Sequence, residues 1–352
     1  MPRLARKPVT WYKKSMSKIK VLDLFSGGGG SSSGARAAGA KIVGAIDAWN
    51  LATEAFKENF PETHVVTGKL EAVVLKQLRQ KIGQVNLILA SPECTNHTPA
   101  KGSAKRCEAS RQTAFQVVRF ARAFKPRWLI IENVIQMKSW KGYKKFIAGL
   151  GELGYHIREQ ILNAKDFGAP QTRRRLFVSC DLEQMPPEIR PRKKRKMKTV
   201  AEILDPAGTW EMKPVFIDNR APNTIVRYLT GLNKIGPHKP FLLVYYGSDG
   251  GGGWQSLDRP LRTITTVDRF ALVDQSGKEP RMRMLQVSEL QRAMGFESSY
   301  KLNGASRRDR IKIVGNAVCP PMMEAVVKKL TQKRRTAKRS NRSTKSGEAI
   351  RT

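Results

Sequence analysis

Three stretches of this 352-residue chain place reactive side chains at the ends of predicted strands. The apolar run LILA precedes the lone cysteine Cys94, the run RWLII precedes Glu132, and QTRRRLF carries Arg173 and Arg175. A thiol in an exposed loop can act as a nucleophile, and a nearby carboxyl can act as an acid. Taken singly, each has a simpler reading: an inert thiol, a surface acid or helix cap, and a phosphate-binding arginine run. From the residues alone, a free thiol with a chemical role therefore remains possible at Cys94.

The elements that must position these side chains alternate between strand and helix. Apolar runs predict strands at VLDLF, KIVGAI, QVNLILA, RWLIIENV and RRRLFVSC, and helical patterns lie between them, in LATEAFKENF, RQTAFQVVRFARAF and YKKFIAGLGELGY. This alternation predicts an α/β fold with a parallel sheet covered on both faces. Because ligands gather at the carboxyl ends of such strands, we expect Cys94 and Glu132 to meet there.

The first strand leads into the glycine-rich stretch DLFSGGGGSSSG. Gly28, Gly30 and Gly34 fit G-x-G-x-x-G with one extra residue, and Asp47 ends the next strand, where a carboxylate suits a ribose diol. No G-K-[ST] follows, which excludes a nucleoside-triphosphate P-loop. A glycine stretch alone can be a flexible loop, but its place between a strand and a helix, followed by Asp47, favours a nucleoside cofactor.

Composition limits the class of protein. The chain carries 65 Lys and Arg against 29 Asp and Glu, a net charge of +36, which predicts a polyphosphate partner. Cys94, Cys107, Cys180 and Cys319 show no C-x-x-C spacing, so we predict no metal site and no disulfide framework. No apolar run approaches the roughly 18 residues of a membrane span, and the N-terminus lacks a secretory signal, so we expect no membrane partner and a cytoplasmic, nucleoid-associated protein.

Several of these stretches resemble one family, the S-adenosylmethionine-dependent DNA (cytosine-5) methyltransferases of bacterial or phage type. DLFSGGGG is similar to the first family motif, SPEC to the nucleophile loop, ENV to the catalytic acid motif and QTRRRLF to Q-x-R-x-R. RPLRTITT and GNAVCPPM are similar to the last two. Each alone is weak, but the six occur in the family's order across about residues 20–325.

The resemblance implies a Rossmann-like methyltransferase fold with a smaller target-recognition domain. The expected boundaries are a basic N-terminal arm at 1–17, a catalytic and cofactor-binding domain at 18–180 and a recognition domain at 181–310. A return to the catalytic domain at 311–330 and a basic, disordered tail at 331–352 complete the chain.

It also implies an activity: methyl transfer to C5 of cytosine within a specific short duplex sequence. The base would be flipped out, Cys94 would bond to C6, Glu132 would act near N3, and Arg173 and Arg175 would complete the catalytic set, with Arg175 at O2. The expected partner is double-stranded DNA, bound by a monomer, with a cognate restriction endonuclease as companion. The expected product of the cofactor is S-adenosylhomocysteine.

The cofactor residues implied by the resemblance lie in the glycine loop, at the ends of later strands and in the last motif: Asp23, Phe25, Ser26, Gly27, Gly28, Gly30, Asp47, Ala48, Leu70, Ser91, Pro92, Asn316 and Ala317. The sequence departs from the family at several of the motifs. Glu93 replaces a proline beside the nucleophile, Thr95 replaces a glutamine, Lys69 replaces an acid expected at the adenine, and Trp49 comes one place after the position of a stacking tryptophan. A carboxylate beside a thiol tends to raise its pKa and so opposes thiolate formation.

Sequence readout is expected from the variable region at about 181–258. Its basic run would contact phosphates, and Arg220, Asn223, Arg227 or Tyr228 would contact base edges. The predicted DNA-binding set is Arg190, Arg192, Lys193, Arg195, Arg220, Arg227 and Arg262. Two alternatives stay open: a transfer-RNA cytosine-5 methyltransferase of the same fold, and a catalytically silent nucleic-acid-binding relative.

Overall fold

A computed structural model describes residues 19–93, 112–191, 196–246 and 251–332 of the chain. Some predicted residues lie outside these ranges: Cys94 and Cys107 around the nucleophile loop, Arg192, Lys193 and Arg195 in the basic run, and the two basic termini.

The larger of two sheets has seven strands in the order β3-β2-β1-β4-β5-β7-β6. Its strands are β1 (Lys20–Leu24), β2 (Lys41–Asp47), β3 (His64–Thr67), β4 (Leu87–Ala90), β5 (Trp128–Asn133), β6 (His156–Asn163) and β7 (Arg174–Asp181). The four residues of β4 are all buried, as expected of a continuous apolar run in the middle of a sheet.

Helices cover both faces of this sheet. The first layer consists of α1 (Gly30–Ala37), α2 (Asn50–Asn59) and, from the end of the chain, α9 (Pro320–Thr331). The second layer consists of α3 (Leu75–Ile82), α4 (Phe115–Phe124) and α5 (Tyr143–Gly151). Alternate strand residues face the two layers: Val21, Leu87 and Leu89 belong to the first core, whereas Leu22, Leu24 and Ile88 belong to the second. The α/β prediction with both faces covered is confirmed.

The predicted parallel sheet is mixed at one edge. Strands β3, β2, β1, β4 and β5 are parallel, but β7 runs antiparallel to both β5 and β6. Strands β3 and β6 were not predicted; β6 has mostly half-buried residues, several of them polar, so its composition gives little strand signal. The direction of β7 matters for the site, because it brings the first residues of this strand to the edge where β5 ends.

A second sheet of five strands lies within the range 181–310 that was predicted to form the recognition domain. Its order is β10-β9-β11-β12-β8, with β8 (Lys213–Pro214), β9 (Phe241–Val244), β10 (Trp254–Ser256), β11 (Phe270–Asp274) and β12 (Arg281–Met284). The region also contains the 14-residue helix α6 (Pro222–Ile235), which the sequence reading missed. Pro222 begins this helix, and Tyr228 and Gly231 face Phe241 in a small core of their own.

The end of the chain returns to the first layer through α7 (Val287–Met294), α8 (Arg307–Asn316) and α9. Helix α9 packs closely on α1: a Cβ added to Gly34 would lie 2.4 Å from the backbone oxygen of Pro320. Glycine is therefore required for this approach of the two helices, because any side chain would collide with backbone. Across the described residues, no helix combines the length and apolarity needed to cross a membrane.

Candidate active site

A cavity of about 1010 Å³ opens at the edge of the large sheet where β1, β2, β4 and β5 end. It is lined at one end by Phe25, Asp47 and Trp49, and at the other by Glu132 and Arg175. The segments between strand and helix at this edge, and the α8–α9 junction, complete its surface. The structure thus joins the predicted nucleoside end and the predicted reacting end in one space.

Asp47 organises the nucleoside end. One carboxylate oxygen accepts the Gly27 N–H at 2.8 Å, and the other accepts the Trp49 N–H at 2.8 Å. Burial raises the pKa of Asp47, and these backbone hydrogen bonds lower it in part. The carboxylate is fixed by backbone donors and still has lone pairs for a diol.

Two aromatic rings flank this carboxylate. Phe25 has φ 56, a left-handed conformation that aromatic residues rarely adopt, so the turn after β1 holds it under strain. The Trp49 ring lies 4.4 Å from the ammonium of Lys312, a cation–π contact that joins α8 to the start of α2. Both rings offer an apolar face to a planar base.

Asp23 lies beneath the glycine loop, fully buried and not at the cavity surface. Oδ2 accepts the Ser32 hydroxyl at 2.7 Å, whereas the buried Oδ1 has no hydrogen-bond partner in the part of the chain that the structure describes. Burial raises the pKa of Asp23 to about 7, and the nearby charge of Asp47 adds to the shift. The predicted contact of Asp23 with a cofactor would therefore have to be made through the loop above it.

These residues fit S-adenosylmethionine, the cofactor expected from the sequence. The cavity has room for a nucleoside and an amino acid, and Asp47 suits the ribose diol. The buried Ser26 Oγ belongs to a lining residue and has no hydrogen-bond partner among the described residues. A ligand that brings polar groups would satisfy this atom.

The glycine loop is also shaped by the end of the chain. A Cβ on Gly28 would lie 2.4 Å from Ile313 Cγ2, and one on Gly30 would lie 2.4 Å from the Val318 backbone oxygen. Because these two glycines have no side chains, the α8–α9 junction can pack against the glycine loop and line the cavity. Packing within the protein is thus one reason for glycine at these two positions of the motif.

Glu132 and Arg175 form the reacting end. Glu132 lies near the end of β5 and is 6% exposed, and its Oε1 is 3.2 Å from Arg175 Nε. Residues 132 and 133 of β5 pair with 177 and 176 of β7, so the start of β7 lies beside the end of β5. Burial raises the pKa of Glu132, and Arg175 and Arg173 lower it in part. A buried carboxyl with a raised pKa can hold a proton for a base.

Arg173 has a different setting from Arg175, although both line the cavity. Its guanidinium is 3% exposed and donates to the backbone carbonyls of Ile264 at 2.9 Å, Gly315 at 2.8 Å and Ala317 at 3.2 Å. It thus ties the entry to β7 to the 264 segment and to the α8–α9 junction. This geometry supports a positioning role for Arg173.

The chain that leads into the nucleophile loop is held by Asn133. Its Nδ2 donates to the Pro92 carbonyl at 3.0 Å, two residues before Cys94, and its Oδ1 accepts the Val134 N–H at 2.8 Å. Ser91 is anchored by its N–H to the Leu24 carbonyl at 3.2 Å. The last described residues before Cys94 are therefore fixed at the mouth of the cavity.

The remaining cysteines in the described ranges are buried. Burial raises the pKa of both Cys180 and Cys319, the latter to about 11, which disfavours a thiolate at either position.

The cavity collects most of the predicted cofactor set: Phe25, Ser26, Gly27, Gly28, Gly30, Asp47, Ala48, Leu70, Ser91, Pro92, Asn316 and Ala317. The sequence reading missed Lys312, Ile313 and Thr113, which also line it. Lys312 and Ile313 belong to α8, and only their proximity to the GNAVCPPM motif could have indicated them.

The described members of the predicted DNA-binding set differ in their contacts. Arg190 is exposed and pairs with Glu188 at 2.5 Å, and Arg227 lies over the Tyr245 ring at 5.3 Å. Arg220 donates to the carbonyls of Val215 at 3.1 Å and Pro214 at 2.8 Å, so its guanidinium holds the turn before α6. Arg262 donates to the Trp254 carbonyl at 3.3 Å.

Known proteins resemble this chain along much of its length. It is 32% identical over 167 residues to the Type II methyltransferase M.AgeI of Thalassovita gelatinovora, a match of 46% of this chain and 39% of that relative. It is 27% identical over 264 residues to M.HgiDI of Herpetosiphon aurantiacus, covering 70% of this chain and 80% of that one. A rat tRNA (cytosine(38)-C(5))-methyltransferase matches at 27% over 177 residues, 49% of this chain and 44% of that protein.

Solved structures share the fold. A mutant DNMT2 of Spodoptera frugiperda aligns with a TM-score of 0.66 at 18% identity, over 90% of this chain and all of that one. The family model described as C-5 cytosine-specific DNA methylase matches residues 19–332. With most of its length matched, this chain belongs to the C-5 cytosine-specific DNA methylase family.

Proposed function

We propose that this protein transfers a methyl group from S-adenosylmethionine to C5 of cytosine in duplex DNA, at a base flipped out of the helix. The observation that carries the proposal is the single cavity that runs from Asp47 to the Glu132–Arg175 pair, with the approach to Cys94 at its mouth. Membership of the family supports the same reaction.

The residues of the reacting end would act on the ring of the base. The Cys94 thiolate adds to C6, C5 then takes the methyl group, and loss of the C5 proton expels the thiolate. Glu132 holds a proton at N3 while charge develops in the ring, and Arg175 orients Glu132 and holds O2. When bound, the cofactor supplies an electrophilic methyl group.

Target choice is proposed to come from helix α6. Its exposed face presents Asn223, Val226, Leu229 and Asn233, a mixture of amide and apolar groups that suits base edges and thymine methyls. Arg227 of this helix lies over the Tyr245 ring. The next residue, Tyr246, donates its hydroxyl to the Thr263 carbonyl, and Arg173 donates to the carbonyl of the following residue, Ile264. These contacts connect helix α6 to the segment beside the reacting end of the cavity. Tyr228 is buried, and Arg220 donates to two carbonyls of the segment before the helix. In the described part of the chain, Arg227 donates only to the Asn223 carbonyl one turn earlier in the same helix, at 3.0 Å, so we assign the reading to Asn223 and Arg227 among the residues first predicted.

Bisulfite sequencing of DNA from cells that express the chain tests the proposal. We expect 5-methylcytosine at one short sequence, and none when Cys94→Ser is expressed at the same level. The variant should retain DNA binding, because the change removes only the nucleophile. Methylation that persists at full level in Cys94→Ser would remove this residue from the mechanism.

A transfer-RNA substrate is the second candidate. It is favoured by the match to the rat tRNA (cytosine(38)-C(5))-methyltransferase. Parallel assays of methyl incorporation into duplex DNA and into transfer RNA, with the same enzyme preparation, distinguish the two. Exclusive incorporation into RNA would overturn the DNA proposal, and binding without incorporation into either would indicate a silent relative.

A role in restriction–modification is proposed from the Type II methyltransferases among the relatives. A cognate endonuclease would then recognise the sequence that the bisulfite experiment reveals. Digestion of unmethylated DNA by a lysate of the native host, with protection of DNA methylated by this chain, is the corresponding test.

A further inference from the structure

The two helical layers of the large sheet differ in charge. Helices α1, α2 and α9 of the first layer together carry four cations and three carboxylates: Arg36, Lys57, Lys328 and Lys329 against Glu54, Glu58 and Glu324. Helices α3, α4 and α5 of the second layer carry seven cations and no carboxylate: Lys76, Arg79, Lys81, Arg119, Arg122, Lys144 and Lys145. Solubility alone gives no reason for this segregation, since both layers face solvent.

Most of these cations are free to meet a partner. The exposed ones, with two lysines that flank the helices, form what we call the basic face: Lys76, Arg79, Lys81, Arg122, Lys125, Lys141, Lys144 and Lys145. Within the described residues, none of the eight forms an ion pair, whereas their chain neighbours Arg127 and Lys138 pair with Glu183 and Glu159. Unpaired cations at this density repel one another, so binding of a polyanion to this face would relieve the repulsion.

The helices of the basic face form one continuous surface. Arg79 Nη1 of α3 donates to the Ala123 carbonyl near the end of α4 at 3.1 Å. Phe115 of α4 contacts Phe146 of α5, with ring centroids 6.2 Å apart. The cations are therefore displayed on a packed layer and keep their spacing.

The basic face is distinct from the active site. None of its eight residues lines the catalytic cavity, and its helices pack on the sheet through Leu78, Phe120 and Phe146, in the core opposite to that of α1 and α9. A duplex held with one base in the cavity leaves this lateral surface to a different stretch of DNA.

We propose that the basic face is a second DNA-binding surface, which takes the phosphate backbone of duplex DNA without regard to sequence. By binding a second segment of the same DNA molecule, it would keep the enzyme on long DNA while the catalytic site samples other positions. Because the contacts are to phosphate, their contribution falls with salt, by a slope of about 0.9 per phosphate neutralised.

The test compares two charge-reversed triple variants of the full chain. The face variant is Lys81→Glu/Arg122→Glu/Lys125→Glu, and the control variant is Lys57→Glu/Lys301→Glu/Lys329→Glu, whose residues are exposed in or near the first layer. The probe is a 60-bp duplex of A·T pairs, which offers no cytosine to the active site. Binding of S-adenosylhomocysteine and the unfolding midpoint show that each variant is folded.

We expect the face variant to lose at least about tenfold in affinity for the A·T duplex at low salt, and its salt slope to fall by about two to three. The control variant should lose less than about threefold in affinity for the same duplex. It changes the net charge of the protein by the same amount but leaves the basic face intact. Equal losses in both variants, or no loss in the face variant, would overturn the proposal. So would a face variant that loses binding to phosphatidylserine vesicles and retains binding to DNA.

The readout is independent of methyl transfer. If the chain methylates no DNA but the face variant still loses the A·T duplex, the proposed function fails and the second surface stands. If the chain methylates DNA but the two variants bind the A·T duplex with equal affinity, the proposed function stands and the second surface fails.

Discussion

Two carboxyls at the edge of the large sheet, Glu132 and Asp23, carry protons at higher pH than exposed acids do. Both owe their raised pKa values to burial, but only Glu132 has a guanidinium beside it. Glu132 faces the cavity, whereas Asp23 lies below the glycine loop. The first is therefore suited to chemistry, and the second has consequences for stability.

Replacing Glu132 by Gln should lower kcat for methyl transfer by about 10²- to 10⁴-fold, because an amide can donate to N3 but cannot hold or return a proton. The wild-type rate should fall as pH rises through the raised pKa of Glu132, since the protonated form is the donor. Rate–pH profiles of the two proteins check this. An unchanged alkaline limb in Glu132→Gln would assign the titration to another group.

Asp23→Asn should stabilise the protein at alkaline pH. The pKa of Asp23 is raised to about 7 in the folded state, so the folded state binds its proton more tightly than the unfolded state does. Its contribution is present at acid pH and is lost as pH rises through about 7. We expect a gain on the order of 1–4 kcal/mol for the variant at pH 8 and little difference at pH 4, measured by denaturant unfolding. A gain of equal size at both pH values would contradict the titration of Asp23 as its cause.

At the scale of elements, the direction of β7 decides the site. Parallel strands bring their carboxyl ends together, so sequence reasoning could place Cys94 and Glu132 at one edge of the sheet. Arg175 begins its strand, and in a parallel sheet it would lie at the opposite edge. It meets Glu132 because β7 runs antiparallel to β5.

The sequence could not reveal that reversal, because apolar runs carry no information on direction. Helix α6 was missed for a related reason. It lies among proline, glycine and short strands, and only Tyr228, Gly231 and their neighbours give it a buried side. What could be read was local: the glycine loop, the strand ends and the order of the motifs.

Glycines 34 and 151 offer a matched pair of helical positions. Alanine is more favourable than glycine in a helix by about 1 kcal/mol, so helix propensity alone predicts that Gly34→Ala and Gly151→Ala both stabilise the protein. A Cβ on Gly34 would lie 2.4 Å from the Pro320 oxygen, whereas one on Gly151 meets nothing within 4 Å. We expect Gly34→Ala to lower the free energy of unfolding by about 1–3 kcal/mol and Gly151→Ala to raise it by up to about 1 kcal/mol. Denaturant unfolding measures both, and a neutral Gly34→Ala would mean that α9 can move away from α1.

Arg173→Lys should destabilise the protein by about 2–4 kcal/mol, because an ammonium cannot reproduce the planar fork that reaches three carbonyls. The exposed neighbour Arg174 is the control, and Arg174→Lys should change stability by less than about 0.5 kcal/mol. Unfolding midpoints measured side by side compare the two. If Arg173→Lys keeps its stability but loses kcat, the residue acts on the base and not on the fold.

At the scale of the whole molecule, the positive charge extends beyond the described residues. Positions 333–352 include eight lysines and arginines and one glutamate. Deleting these twenty residues should lower affinity for non-target duplex at low salt and reduce the salt slope, while kcat on a short target duplex stays within about twofold. Filter-binding titrations at several salt concentrations check this, and an unchanged slope would show that the tail neutralises no phosphates.

The cavity takes its lining from both ends of the described chain: Phe25 to Ser31 near the start, and Lys312 to Val318 near the finish. Synthesis of the protein proceeds from the first of these to the second. A growing polypeptide therefore has its glycine loop early and lacks the surface that completes the cavity until residues 312–318 have been added. A message truncated before the codon for Lys312 should yield a product that lacks this half of the cavity lining.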